Sequence, residues 1–147
     1  MDYQVSIVGG GISGALAALY LGKSRVKTCL IDRGKPSQRL SNPYIGKTTS
    51  LNLSSIASLR DVGIWEDIKK NAQEFNEIYV WDAEGSSSVQ FKAEEISRND
   101  LGVIVHNNII LESIYSKLEQ ISEVTLIEEE SLKAVSYTHL RAHETLR

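Results

Sequence analysis

The chain is poor in the features that fix a protein's class from a distance. It carries one cysteine in 147 residues, so it has no internal disulfide. That residue, Cys29, lies inside the apolar stretch "VKTCLID", the setting of a buried small side chain in a reducing compartment rather than of a redox centre. No apolar run approaches the ~20 residues that span a bilayer. Nor is there room for a signal peptide before a first strand that begins within a few residues of Met1. The default location is therefore cytoplasmic, with peripheral contact at the inner face of the membrane left open. An excess of one charge is missing as well: 16 basic against 19 acidic residues give a net −3, and the basic ones are scattered. This argues against a nucleic-acid partner. What remains, 41% hydrophobic and 24% charged, is the composition of a globular chain with one domain's worth of core.

The organisation is clearest at the start. Residues 3–8, "YQVSIV", have a strand pattern, "GGGISG" turns the chain, and residues 12–23 follow as an alanine-rich helix. Residues 26–31, "VKTCLI", form a second strand that ends on Asp32. Strand, turn, helix and strand in this order build a parallel sheet with a right-handed crossover. After a polar loop over residues 34–46, "NLSSIASLRDVGIWEDIKK" predicts a helix through Leu53, Ile56, Leu59 and Val62, broken at Gly63. "NEIYVWDAEGSSSVQF" predicts an antiparallel hairpin, in which Trp81 is expected to pack; Trp65 is expected in the core or hairpin too. "GVIV" is a short apolar run, residues 107–121 a helix through Ile110, Ile114, Leu118 and Ile121, and "VTLI" a last strand.

Gly9, Gly11 and Gly14 satisfy G-x-G-x-x-G between the first strand and the first helix. Gly9 permits the tight turn, Gly11 lets a pyrophosphate approach the backbone, and Gly14 lets the helix pack on the strand. The helix amino terminus then offers unpaired N–H groups and a positive dipole end to phosphate. Asp32 ends the second strand 18 residues past Gly14, where an acid accepts hydrogen bonds from an adenosine ribose and disfavours a 2′-phosphate. Arg33 beside it reads as a solvated loop charge. The constellation points to a dinucleotide, and alone it does not separate FAD from NAD.

The end of the chain is different in kind. "VSYTHLRAHET", residues 135–145, continues no earlier pattern and looks like the translation of a common transposase sequencing adapter in one frame. Residues 1–134 are accordingly expected to be the amino-terminal part of a dinucleotide-binding domain, and 135–147 adapter translation from an interrupted reading frame. His139 and His143 have the i, i+4 spacing of helical metal ligands, and His106 is a third histidine. Two of the three fall in the adapter-like tail, so no metal is expected.

Four collinear blocks carry a more specific likeness. "VSIVGGGISGALAALYL…VKTCLID" resembles the amino terminus of flavoprotein hydroxylases of the p-hydroxybenzoate hydroxylase fold. "KTTSLNLSSIASLRDVGIWEDI", "IYVWDAEGSSSVQFKAEEI" and "LGVIVHNNIILESIYSKL" resemble, in order, segments of the ubiquinone-biosynthesis hydroxylase family. The resemblance implies an α/β, Rossmann-like FAD/NAD(P)-binding fold with a parallel sheet and an inserted antiparallel hairpin, incomplete at the carboxyl end. It implies FAD as cofactor, NAD(P)H as electron donor, and hydroxylation of a polyprenylated phenol with O2. Association with a ubiquinone-biosynthesis complex is a further implication. Lys47 stands where the family usually has an arginine near the flavin, keeping the charge but not the planar fork. His106 stands where it usually has a glutamate. Asn107 matches the family's asparagine; it could face the flavin, and it also suits a helix N-cap, the reading slightly favoured. The family's later flavin-contacting segments, including a Gly-Asp motif, belong to its carboxyl-terminal half. Another FAD-dependent oxidoreductase and a non-enzymatic dinucleotide-binding module stay open as alternatives.

Overall fold

A computed structural model describes residues 2–33 and 46–128. In chain order these form β1 (Val5–Val8), α1 (Ile12–Lys23), β2 (Thr28–Asp32), β3 (Thr48–Asn52), α2 (Leu53–Asp61), α3 (Trp65–Lys69), β4 (Gln73–Phe75), β5 (Glu77–Trp81), β6 (Ser88–Lys92), a 3-10 turn (Ala93–Ile96), β7 (Gly102–His106), α4 (Asn107–Leu118) and β8 (Val124–Glu128). The polar loop over 34–46, apart from Gly46, and the adapter-like tail with His139 and His143 lie outside the described residues.

Three strands make the parallel sheet that the strand–helix–strand reading requires. β2 is central, with β1 on one side and β8 on the other. Val5 pairs with Thr28 and Val8 with Ile31, while Thr28 pairs with Val124 and Asp32 with Glu128. A central parallel strand is covered on both faces, which explains the uninterrupted apolar run around Cys29 and Leu30, both 2% exposed. Burial pushes the Cys29 thiol above its ordinary range. Thr28 shares this burial because its hydroxyl donates to the Val26 carbonyl at 3.0 Å.

α1 packs against β2 on one side and α4 on the other. Ala15 and Ala18, both fully buried, keep the helix slim enough for that close approach. α4 contributes Ile110, Ile114 and Leu118, spaced at i, i+4 and i+8, to the same core. Each such side chain stabilises the fold by about 1.5–3 kcal/mol relative to an exposed one.

A second sheet, antiparallel, joins β3 and β4 to the two edges of β7. The sequence pattern does not announce it: in "TTSLN" only Leu51 is buried, and β4 has three residues. The strand–helix junction is local chemistry. Asn52 closes β3 and its side chain accepts from the Ser55 N–H at 2.8 Å, capping α2. The helix read from residue 52 therefore starts one residue later, and Gly63 breaks it as expected, with φ +78°. The helix read over 107–121 ends at Leu118. β1 and β2 each begin two residues later than the strand patterns suggest.

β5 and β6 form the expected hairpin, with Ile78 opposite Phe91 and Val80 opposite Val89 on one face. All four side chains are exposed. On the other face Tyr79 and Trp81 stack with centroids 5.8 Å apart, and Lys92 pairs with Glu77 at 3.8 Å. Trp65 is in the core as expected, whereas Trp81 is on the hairpin and 66% exposed.

Candidate functional site

β1 delivers the chain to the glycine loop, and α1 leaves it. Gly9 has φ +106°, a backbone that side chains rarely adopt, so the turn itself demands glycine there. Its N–H donates to the Ile31 carbonyl at 2.8 Å and ties the loop to β2. Gly14 is demanded by packing. A Cβ at that position would lie 2.0 Å from the Gly9 carbonyl oxygen and 3.4 Å from Ile7 Cγ2.

Gly11 is subject to neither demand. Its φ of −71° and ψ of −179° suit any residue, and a Cβ built there meets nothing within 4 Å among the described residues. The protein does not need a glycine at this position, but a phosphate that approaches the backbone from the open side does. Gly11 is also the N-cap residue of α1, with no capping side chain and no acidic residue in the first turn. The orphan N–H groups and the positive helix end are thus left to an anion.

Asp32 comes to the same place from the end of β2. Its Oδ2 accepts the Gly10 N–H, so the acid braces the loop. Two carboxylate oxygens offer about four acceptor positions, and the brace is compatible with a ribose contact. Arg33, next to it, is exposed. The loop has a second brace that the motif does not reveal. The Tyr115 hydroxyl, from α4, donates to the Gly10 carbonyl at 2.9 Å across 105 residues of sequence. Gly10, the unassigned middle glycine, is held at both its N–H and its C=O. It has no room for a side chain, since a Cβ would fall 2.2 Å from the Tyr115 oxygen. The one sequence signal for Tyr115 is a polar tip on the buried face of a helix, which calls for a partner.

Lys47 and Asn107 meet through the pairing of β3 with β7, in which Thr48 stands opposite His106. The Asn107 N–H donates to the Lys47 carbonyl at 2.9 Å, and the Thr49 hydroxyl donates to Asn107 Oδ1. The N-cap expectation for Asn107 is thereby corrected. His106 occupies the cap position, Asn107 is the first helical residue, and its side chain is turned to Thr49 rather than to the helix N–H groups. The Lys47 side chain is exposed and His106 is half-buried. The site residues fall into two groups: Gly9, Gly11, Gly14 and Asp32 around the loop, and Lys47 with Asn107 at the start of α4.

A parallel sheet, a glycine loop with one glycine that neither the turn nor the packing requires, and an uncapped helix end define a dinucleotide-binding domain of Rossmann type. The chain belongs to the FAD binding domain family, which matches residues 2–139 and so ends inside the adapter-like segment. It is 31% identical over 150 residues to the mitochondrial ubiquinone biosynthesis monooxygenase COQ6 of Dictyostelium discoideum, covering 91% of this chain and 30% of that protein. It is 26% identical over 126 residues to the 3-demethoxyubiquinol 3-hydroxylase of Escherichia coli K12, covering 84% of this chain and 32% of that one. Among solved structures, the flavin-dependent monooxygenase PieE in complex with FAD and substrate superposes with a TM-score of 0.66 at 17% identity, over 88% of this chain and 24% of that chain; the two share a fold. The resemblance drawn from the sequence blocks and the Rossmann-like fold class are both borne out. The chain spans about 30% of the length of the curated relatives it matches. The family makes FAD the dinucleotide. The open side of Gly11 and the uncapped amino terminus of α1 fit its pyrophosphate.

Proposed function

We propose that this chain is the adenine-and-pyrophosphate-binding portion of an FAD-dependent aromatic-ring monooxygenase that hydroxylates a polyprenylated phenol in ubiquinone biosynthesis. The observation that carries the reading is collinear similarity, over 91% of the chain, to a ubiquinone biosynthesis monooxygenase. One relative is named for ubiquinone biosynthesis and another for hydroxylation of 3-demethoxyubiquinol, which supports this substrate class. Gly9, Gly11 and Gly14 and the start of α1 hold the pyrophosphate, and Asp32 takes the ribose. Lys47 and Asn107 serve the flavin end, Lys47 as a single positive charge rather than a fork. Bound FAD would supply the redox chemistry, with electrons from NAD(P)H and one oxygen atom from O2. The protein's share is to bind, orient and exclude water.

On this reading residues 1–134 are the natural part and 135–147 the adapter translation. No described helix is long and apolar enough to cross a membrane. We place the enzyme in the cytoplasm, in peripheral contact with the membrane that holds its prenylated substrate, and within reach of a ubiquinone-biosynthesis complex. Recovery and expression of the uninterrupted gene test all of this. A yellow protein with stoichiometric FAD that hydroxylates a prenylated phenol with NAD(P)H and O2 is expected. A product with no downstream Gly-Asp segment and no bound flavin would sink the proposal.

A further inference from the structure

We propose that Tyr115 is a positioning residue that holds the Gly10–Gly11 peptide in the orientation the pyrophosphate requires. The inference rests on the FAD reading above and deepens it. In a trans peptide the C=O of one residue and the N–H of the next point in opposite directions, and the Gly10–Gly11 bond is trans. The Tyr115 hydroxyl draws the Gly10 carbonyl inward, toward α4. The Gly11 N–H is therefore turned outward, to the side on which a Cβ at Gly11 would meet nothing. One hydrogen bond, made from behind the loop, aims a backbone donor at the ligand.

A tether is needed because this peptide lies between two glycines. Rotating it changes ψ of Gly10 and φ of Gly11, the two angles glycine leaves least constrained. A flip would point a carbonyl oxygen at the phosphates and withdraw the donor. Asp32 fixes the preceding peptide through the Gly10 N–H and leaves the Gly10 carbonyl to another partner. Tyr115 is 7% exposed and belongs to the hydrophobic core. Its oxygen is thus placed by packing rather than by chance encounter.

The test uses the protein from the uninterrupted gene, its Tyr115→Phe variant, and FAD and ADP as probes, ADP being the half of FAD that carries the pyrophosphate. Phenylalanine keeps the buried ring and deletes only the hydroxyl. Flavin fluorescence quenching and calorimetry should show both ligands weakened by a similar factor, about 3- to 10-fold, the usual loss for one hydrogen bond. The apo variant should still melt cooperatively, at or somewhat below the parent's midpoint, because the Gly10 carbonyl loses this partner. Equal affinity of parent and variant for both ligands would overturn the role of Tyr115 while leaving the FAD reading intact. A parent that binds neither ligand would overturn the FAD reading and this inference with it. A structure of the FAD-bound parent is a second measurement that does not depend on the variant folding. The Gly11 N–H on a pyrophosphate oxygen, with Tyr115 still on the Gly10 carbonyl, supports the proposal. A flipped peptide overturns it.

Discussion

Two glycines three residues apart should fail in opposite ways when each is replaced by alanine. At Gly11 the new Cβ touches no described atom, and the backbone angles are ones alanine adopts freely. Alanine is a poorer N-cap than glycine by a few tenths to about 1 kcal/mol. The unfolded chain loses a similar amount of freedom, about 0.4–1 kcal/mol in favour of the folded state. The two effects nearly cancel, so Gly11→Ala should melt within about 1 kcal/mol of the parent. Yet the methyl occupies the side from which the phosphate must come, and FAD affinity should fall by at least about 10-fold, or 1.4 kcal/mol. At Gly14 the Cβ would be 2.0 Å from a backbone oxygen, and α1 must move off the loop to admit it. Overpacking of this kind costs about 1–3 kcal/mol, against at most about 1 kcal/mol gained from helix propensity. Gly14→Ala should therefore lose stability even without ligand. Urea unfolding of the apo proteins and FAD titration, both on the product of the uninterrupted gene, separate the two effects. The reasoning is refuted if Gly11→Ala holds FAD as the parent does, or if Gly14→Ala unfolds at the parent's midpoint.

Asp32→Ala should weaken FAD by about 1.5–3 kcal/mol, the range for a hydrogen bond to a charged group; an unchanged dissociation constant would place the ribose elsewhere. Burial raises the Cys29 thiol, so the folded chain keeps that proton to a higher pH than the unfolded one. Its contribution to stability is whole below the ordinary thiol range of about 8.5 and is lost as pH rises through the folded value. Urea midpoints measured from neutral to alkaline pH should accordingly fall less steeply in Cys29→Ala, and equal slopes would rule out this coupling. Residues 1–134 expressed alone should be poorly soluble or partly folded, free of FAD and without hydroxylase activity. A monodisperse, cooperatively melting fragment with a bound-flavin spectrum would contradict that expectation.

What was legible in the sequence was whatever leaves a mark in side-chain pattern. α1 runs over the residues read for it, because an alanine-rich stretch with Lys23 in its last turn follows directly on a glycine turn. β2 is legible because a buried parallel strand carries a continuous apolar run, here Cys29 to Ile31. β3 and β4 left no such mark. Their place is set by backbone pairing to β7, whose Val103 and Val105 supply the burial that "TTSLN" and "QEF" do not. The same limit applied at the site. Gly9, Gly11, Gly14 and Asp32 were found by a motif with fixed spacing, whereas Tyr115 acts on the loop from 105 residues away. Asn107 suits a cap by residue type, but Thr49 on β3 occupies its side chain, and the pattern of "TTSLN" does not mark that strand.

That missed sheet changes how the two groups of site residues relate. Without β3 and β7, Lys47 and Asn107 are two polar positions 60 residues apart in the sequence. With them, both are fixed at the first turn of α4, by a backbone hydrogen bond and by the register that sets Thr48 opposite His106. Tyr115 lies eight residues further along the same helix, about 12 Å at 1.5 Å per residue. α4 is rigidly set, with Ile110 and Ile114 buried against α1, which itself starts at the glycine loop. On the proposed function, one helix therefore spaces the glycine loop, tied to it through Tyr115, from the Lys47–Asn107 pair. A ligand gripped at two ends needs those ends supported at a fixed separation, and a buried helix supplies it.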